Sequence, residues 1–186
     1  CNDETYADDN YVCQACDTGK STNGNLNNIG KAASCKACSQ GKARNESQIQ
    51  CQPCQSKEYN DEMEAKRCTS ITPGFYLSNC IDFENHIGCR KAQKCEKGHS
   101  CINGLKRTCQ PGSSASKEGS FDCALCNKGE FSNHTNAAEC YTCNPGFYAN
   151  NKNSTHCQEC DAGKTSGEGE SFCIPCESGS YLRSLT

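Results

Sequence analysis

Cysteine returns along this chain in a fixed rhythm: a C-x-x-C motif, a loop of 11 to 13 residues, then another C-x-x-C. Counted from the second cysteine of a motif to the next cysteine, "CQSKEYNDEMEAKRC", "CQPGSSASKEGSFDC", "CNKGEFSNHTNAAEC" and "CNPGFYANNKNSTHC" each enclose 13 residues. "CSQGKARNESQIQC" and "CDAGKTSGEGESFC" enclose 12, "CNDETYADDNYVC" encloses 11, and an Asn/Gly-rich insertion stretches "CDTGKSTNGNLNNIGKAASC" to 18. Self-similarity at about 17 residues predicts an array of small repeats, each touching mainly its neighbours. Three residues after the opening cysteine stands a Gly, which predicts a tight turn, helped by a preceding Pro at Pro111 and Pro145. Two residues further comes an aromatic in Tyr59, Phe131, Tyr148 and Tyr181, replaced by Ser114, Ala43 or Thr165 in other repeats. We expect that ring to cover a disulfide in a minimal core, because its area is large and little else nearby is apolar.

The number of cysteines sets the compartment. The chain has 21 in 186 residues, about 11%, a density that reads as a disulfide scaffold and needs an oxidising environment. An extracellular protein, secreted or at the cell surface, is expected. Only 34% of residues are apolar, with one Met and no Trp, so no single large core can form and covalent bridges must replace it. With 19 basic against 22 acidic residues spread evenly, no stripe of positive charge is offered to phosphates, and nucleic acid is not an expected partner. No apolar run reaches the length of about 20 residues that crosses a bilayer, so no membrane span is expected within this segment. We read the chain as a processed or excised extracellular piece, with any leader or anchor outside it.

Two broken motifs bear on how the cysteines pair. "CNPGFY" at Cys143 is echoed by "ITPGFY", with Ile71 where the cysteine would stand, and at "KRTC" Lys106 replaces the first cysteine of a motif. Pairing inside each C-x-x-C would strand Cys68 and Cys109; pairing between successive motifs keeps a partner for both. The scheme so favoured is Cys1–Cys13, Cys16–Cys35, Cys38–Cys51, Cys54–Cys68, Cys109–Cys123, Cys126–Cys140, Cys143–Cys157 and Cys160–Cys173. Residues 72–108 do not fit the simple repeat, and there Cys80, Cys89, Cys95 and Cys101 allow two bridges in three arrangements, which sequence leaves open. Cys176 remains over, and its partner is expected beyond Thr186. The implied organisation is N-terminal repeats over 1–71, an irregular four-cysteine module over 72–108, and C-terminal repeats over 109–186 with the last incomplete.

The alternation of C-x-x-C with C-x-x-G-x-[FY] loops resembles the ephrin-receptor-like cysteine-rich repeat of the growth factor receptor cysteine-rich superfamily, related in style to tumour necrosis factor receptor modules. The resemblance covers nearly the whole chain, best at 38–80 and 109–186. It implies small disulfide-rich repeats forming an extended rod of short two-stranded β ribbons and irregular loops, with little or no helix. The abundance of Asn, Lys, Ser and Thr between cysteines is also similar to the cysteine-periodic surface antigens of ciliates, a likeness of composition.

Three N-x-[ST] sequons, at Asn45, Asn133 and Asn153, predict N-linked glycans. Asn45 and Asn133 both lie seven residues after their repeat's opening cysteine, which predicts one equivalent exposed position. Catalytic and cofactor signals are weak. "GKST" at Gly19 and "GKTS" at Gly163 lack the upstream Gly of a phosphate-binding loop, where Gln14 and Gln158 stand instead. Zinc would need four thiolates gathered on one ion, and disulfides account for more of the pattern. His86, His99, His134 and His156 sit among polar residues without a nucleophile or ligand spacing, and the acidic runs near the start and at 61–66 lack a D-x-D-x-D-G loop. No enzyme, cofactor or metal is expected. Two function classes remain. The first is a structural glycoprotein of a filament, coat or matrix, associating with copies of itself or other extracellular proteins. The second is a receptor or adhesion ectodomain whose 72–108 module binds a protein ligand through His86, His99, Lys91, Lys94 and Lys97.

Overall fold

A computed structural model describes residues 5–7, 13–22, 35–48, 50–177 and 179. Among them there is no helix; ten two-stranded sheets, most of them only two residues long per strand, carry all the regular structure. In a standard repeat, the fourth and fifth residues after the opening cysteine pair antiparallel with the two residues inside the next C-x-x-C. Glu130↔Thr142 with Phe131↔Tyr141 and Phe147↔Glu159 with Tyr148↔Gln158 are two instances. A ribbon this short is not stable in water alone. It is closed at one end by a tight turn and at the other by a disulfide.

The turn has a type II signature. The amide four residues after the opening cysteine donates to the carbonyl one residue after it, as in Glu130 to Asn127 at 3.1 Å and Phe147 to Asn144 at 3.0 Å. Its third residue has positive φ, +81° at Gly129 and +85° at Gly146, and the prolines at 73, 111 and 145 occupy the position before it. Lys57 adopts the same conformation at φ 71° without being a glycine.

The disulfides run between successive motifs. Cys16–Cys35, Cys38–Cys51, Cys54–Cys68, Cys109–Cys123, Cys126–Cys140, Cys143–Cys157 and Cys160–Cys173 share this form. The four remaining cysteines bond locally, as Cys80–Cys89 and Cys95–Cys101. Cys101 stands at the sixth residue of the repeat that Cys95 opens, and Lys106 occupies that repeat's closing position. With no closing cysteine available, the opening one bonds across its own turn, and Lys106 forms an ion pair with Glu96 instead. Cys1, and with it the Cys1–Cys13 pairing, lies outside the described residues, as do Tyr181, the first acidic run in part and the insertion at 23–34.

Burial distinguishes the ring position from the one that follows it. Tyr59, Phe131 and Tyr148 are only half-buried. The buried position is the next one, the sixth after the opening residue: Arg44, Asn60, Leu77, Cys101, Ala115, Ser132, Ala149 and Ser166 all occupy it. The opening cysteines from Cys16 to Cys160 are buried and the closing ones from Cys35 to Cys173 half-buried in the long bridges, so the core within each of these repeats is a half-cystine with one further side chain at the sixth position. Where that residue is large and polar, it caps carbonyls: Arg44 Nη1 donates to Cys16 and Asp17, and Asn60 Nδ2 to Lys42 and Glu62.

Successive repeats are joined by backbone hydrogen bonds that recur at the same positions. The turn residue's carbonyl accepts from the amide opening the next repeat, as in Cys126 to Gly112 and Cys143 to Gly129, both 2.8 Å. That turn residue's own amide donates to the sixth residue of the next repeat, as in Gly112 to Ser132 at 2.8 Å and Gly129 to Ala149 at 2.9 Å. The sixth residue's amide also reaches the next repeat, Ala115 to Ala137 and Ser132 to Ser154, both 3.1 Å. A residue late in each loop donates back to the preceding opening cysteine, as in Asn136 to Cys109 and Asn153 to Cys126, both 2.9 Å. These late residues hold positive φ, at Glu64, Gly88, Gly119, Asn136, Asn153 and Gly169. Ile71 donates to Lys57 at 2.8 Å, so its backbone keeps the place in the ladder that a cysteine would have held.

The chain divides into two compact units: 1–93 with 103–105, and 94–102 with 106–186. Each contains several repeats of this ladder. The irregular segment 72–108 contributes residues to both.

Candidate functional site

Two features that present side chains to solvent bear on function: the sequons and a disulfide-closed loop. Asn45 is exposed, and its Oδ1 accepts from the backbone amide and the hydroxyl of Ser47 at 3.0 and 2.7 Å, folding the sequon into an Asx turn. Asn133 is also exposed, with Oδ1 3.0 Å from His134 Nδ1. Both immediately follow the buried sixth residue of their repeat, Arg44 and Ser132, which holds the backbone in place beneath them. Asn153 stands at the late, left-handed position instead, with φ 64°. A Cβ built on Gly112 would fall 2.4 Å from its Oδ1, so this asparagine packs against the backbone of an earlier turn.

The loop from Cys80 to Cys89 is the largest departure from the repeat. Its disulfide closes a bridge between Asp82 and Ile87, and Asp82 accepts from the Asn85 amide and side chain at 3.1 and 2.8 Å. Those hydrogen bonds, chiefly the Asn85 side chain, hold the Asp82 carboxyl below its ordinary range. At the tip, Phe83 is 70% exposed, with its ring 5.9 Å from that of His86, and Ile81 is 55% exposed. Phe121 at 63% and Phe172 at 59% are comparably exposed elsewhere in the chain, but these two apolar residues share one covalently closed loop. At the loop's base Gly88 donates to Cys54 at 2.7 Å and Cys89 accepts from Asn60 at 3.0 Å, which ties it into the first unit's ladder.

The residues expected to gather in the 72–108 module are divided. His86 and Lys91 belong to the first compact unit, and Lys94, Lys97 and His99 to the second. Lys94 lies 3.8 Å from Glu118, and His99 Nδ1 is 3.2 Å from the Lys97 carbonyl. The "GKST" amides are occupied by the fold: Gly19 donates to Arg44 at 2.9 Å and Lys20 to Asp17 at 3.1 Å. In the 61–66 run, Glu64 faces Lys20 across 3.8 Å and its backbone serves the ladder. Cys176 is a half-buried free thiol.

Sequence reasoning missed the sixth position and the exposed loop. Small residues at Ala115, Ser132, Ala149 and Ser166 were the available signal for the first, because they recur in phase right after the ring position. The apolar pair in "CIDFENHIGC" was the signal for the second.

No protein-family model matches the chain, and a comparison with curated proteins finds no match.

Proposed function

We propose that this chain is a segment of a structural extracellular glycoprotein, part of a filament, surface coat or matrix, in the style of the ephrin-receptor-like cysteine-rich repeats it resembles. The observation that supports this reading most is the recurrence of one bonding scheme from repeat to repeat. Each repeat is stapled by a disulfide and tied to the next through several backbone bonds. On the loop-entropy model each long staple stabilises by about 3 kcal/mol. Such an array resists proteolysis and carries load without depending on one core, and repetition offers equivalent surfaces to neighbouring chains. The density of disulfides fits an oxidising compartment, and no helix among the described residues is long and apolar enough to cross a membrane.

A second reading, a receptor or adhesion ectodomain, is favoured by the exposed Phe83 and Ile81 on the Cys80–Cys89 loop. Electron microscopy of the natively glycosylated protein separates the two. Ordered filaments or sheets that disperse on reduction support the structural reading. Monomeric particles that bind a soluble protein, with binding lost in Ile81→Ser/Phe83→Ser, support the receptor reading and overturn the first.

A further inference from the structure

Asn45 and Asn133 occupy the same phase of their repeats, yet their surroundings differ in one respect. Two residues before Asn45 stands Ala43, which pairs across its ribbon with Gln52. Two residues before Asn133 stands Phe131, which pairs with Tyr141, the ring centroids 6.0 Å apart. The ring of His134, next to Asn133 on its other side, lies 6.1 Å from Tyr141. Tyr141 is 53% exposed although it belongs to this aromatic cluster. Phe131 and Tyr141 continue with Thr142, Asn144 and Phe147 into an open depression of about 470 Å³. Ser132 between Phe131 and Asn133 is fully buried, bonded through its amide to Ser154, through its carbonyl to Gly112 and through its hydroxyl to the His134 carbonyl. The asparagine is therefore held two residues from an aromatic pair whose Tyr141 ring, though flanked by His134, keeps about half of its surface open to solvent.

We propose that Asn133 carries an N-linked glycan whose first N-acetylglucosamine packs on the Phe131–Tyr141 face, so that modification here, unlike at Asn45 or Asn153, stabilises the fold. Attachment forms a bond from Asn133 Nδ2 to the anomeric carbon of a polyprenyl-diphosphate-linked oligosaccharide. The diphosphate leaves, and the amide gives up one proton to an enzyme base. A pyranose presents C–H groups on its faces, which suit the electron-rich face of an aromatic ring. Covering the two rings removes apolar area from water. Because the sugar is tethered two residues from Phe131, association is intramolecular and costs little translational freedom. The inference rests on the glycoprotein reading.

The test uses protein secreted from a eukaryotic host, with site occupancy read by mass spectrometry. Thr135→Ala, Ser47→Ala and Thr155→Ala each remove one sequon while keeping its asparagine. Loss of the Asn133 glycan is expected to lower Tm by about 2–4 °C, while trimming every glycan to a single N-acetylglucosamine leaves Tm in place. Ser47→Ala and Thr155→Ala are expected to shift it by less than about 1 °C. In a Tyr141→Ser background, Thr135→Ala should produce no further shift, and nuclear Overhauser contacts should join the first sugar to the Tyr141 ring. An occupied Asn133 whose loss leaves Tm unchanged overturns the proposal and leaves the glycoprotein reading standing. Occupancy at Asn45 and Asn153 alone does the same, whereas no occupancy at any of the three overturns both.

Discussion

A methyl group added to Gly129 would lie 1.7 Å from the carbonyl oxygen of Gly169, a residue two repeats further along the chain. The same relation joins Gly19 to Glu64 at 1.9 Å, Gly41 to Gly88 at 2.3 Å and Gly98 to Asn136 at 2.3 Å. At Gly19, Gly41, Gly98, Gly112 and Gly129 the turn glycine therefore meets the late, left-handed residue of the next repeat but one. The ladder ties neighbours together, and this contact extends the coupling to second neighbours. A single repeat is a closed ribbon of negligible core, so its stability comes from the repeats that follow it.

Gly129→Ala and Gly163→Ala separate the two demands on the turn glycine. Both positions have φ near +80°, a conformation that disfavours a side chain, but among the described residues nothing lies within 4 Å of a Cβ at Gly163. Gly163→Ala should cost about 1–2 kcal/mol from backbone conformation alone. Gly129→Ala must also displace the Gly169 backbone and should cost clearly more in urea denaturation. Equal costs would contradict the second-neighbour contact.

Among the described residues Leu77 is the one large aliphatic side chain in the buried sixth position, 3% exposed, and a Cβ on Gly104 would fall 2.9 Å from its Cδ1. Leu77→Ala should destabilise the first compact unit by about 3 kcal/mol through lost burial and a residual cavity. Hydrogen exchange should show increased opening at Leu77 and at its neighbours in the Phe75–Ser78 strand. Unchanged protection there would contradict the assigned core.

Replacing both members of a bridge by alanine should cost less at Cys95/Cys101 than at Cys126/Cys140. The sequence separations are 6 and 14, and loop entropy gives about 2 against about 3 kcal/mol. Alanine already fills the sixth position in other repeats, at Ala115 and Ala149, so Cys101→Ala adds little strain. Denaturant midpoints of the two double variants give the order.

Asp82 is held below the ordinary aspartate value of 3.8 by hydrogen bonds from Asn85, with the His86 charge adding a smaller effect. A depressed folded value means that the turn's stabilisation is present above the ordinary value and is lost as pH falls through the lowered one. The Asn85 amide resonance should therefore titrate below pH 3.8, and Asp82→Asn should remove that titration. A midpoint at or above 3.8 would contradict the bonding of the loop.

Legibility in sequence followed chemistry that is fixed by residue type. Only glycine suits most of the turns, so the glycine three residues after each opening cysteine announced itself. The two half-motifs at Ile71 and Lys106 distinguished bridges between motifs from bridges within them. The sixth position was hidden because Arg44, Asn60, Leu77, Cys101 and Ser132 share no chemistry; what they share is a place in the backbone ladder. The same holds for Glu64, Gly88 and Asn136, which have only a positive φ in common. Without the sixth position, Cys101 could not be assigned to Cys95, and three arrangements stayed open. Asn45 and Asn133 were legible as in phase, but the aromatic face beside one of them depended on the cross-strand register of Phe131 and Tyr141.

The most direct test of the repeat account is peptide mapping of the unreduced protein. It should recover Cys54 linked to Cys68, Cys80 to Cys89, Cys95 to Cys101 and Cys109 to Cys123. Bridges inside the C-x-x-C motifs, such as Cys51 to Cys54 or Cys123 to Cys126, would contradict both the ribbons and the ladder built on them.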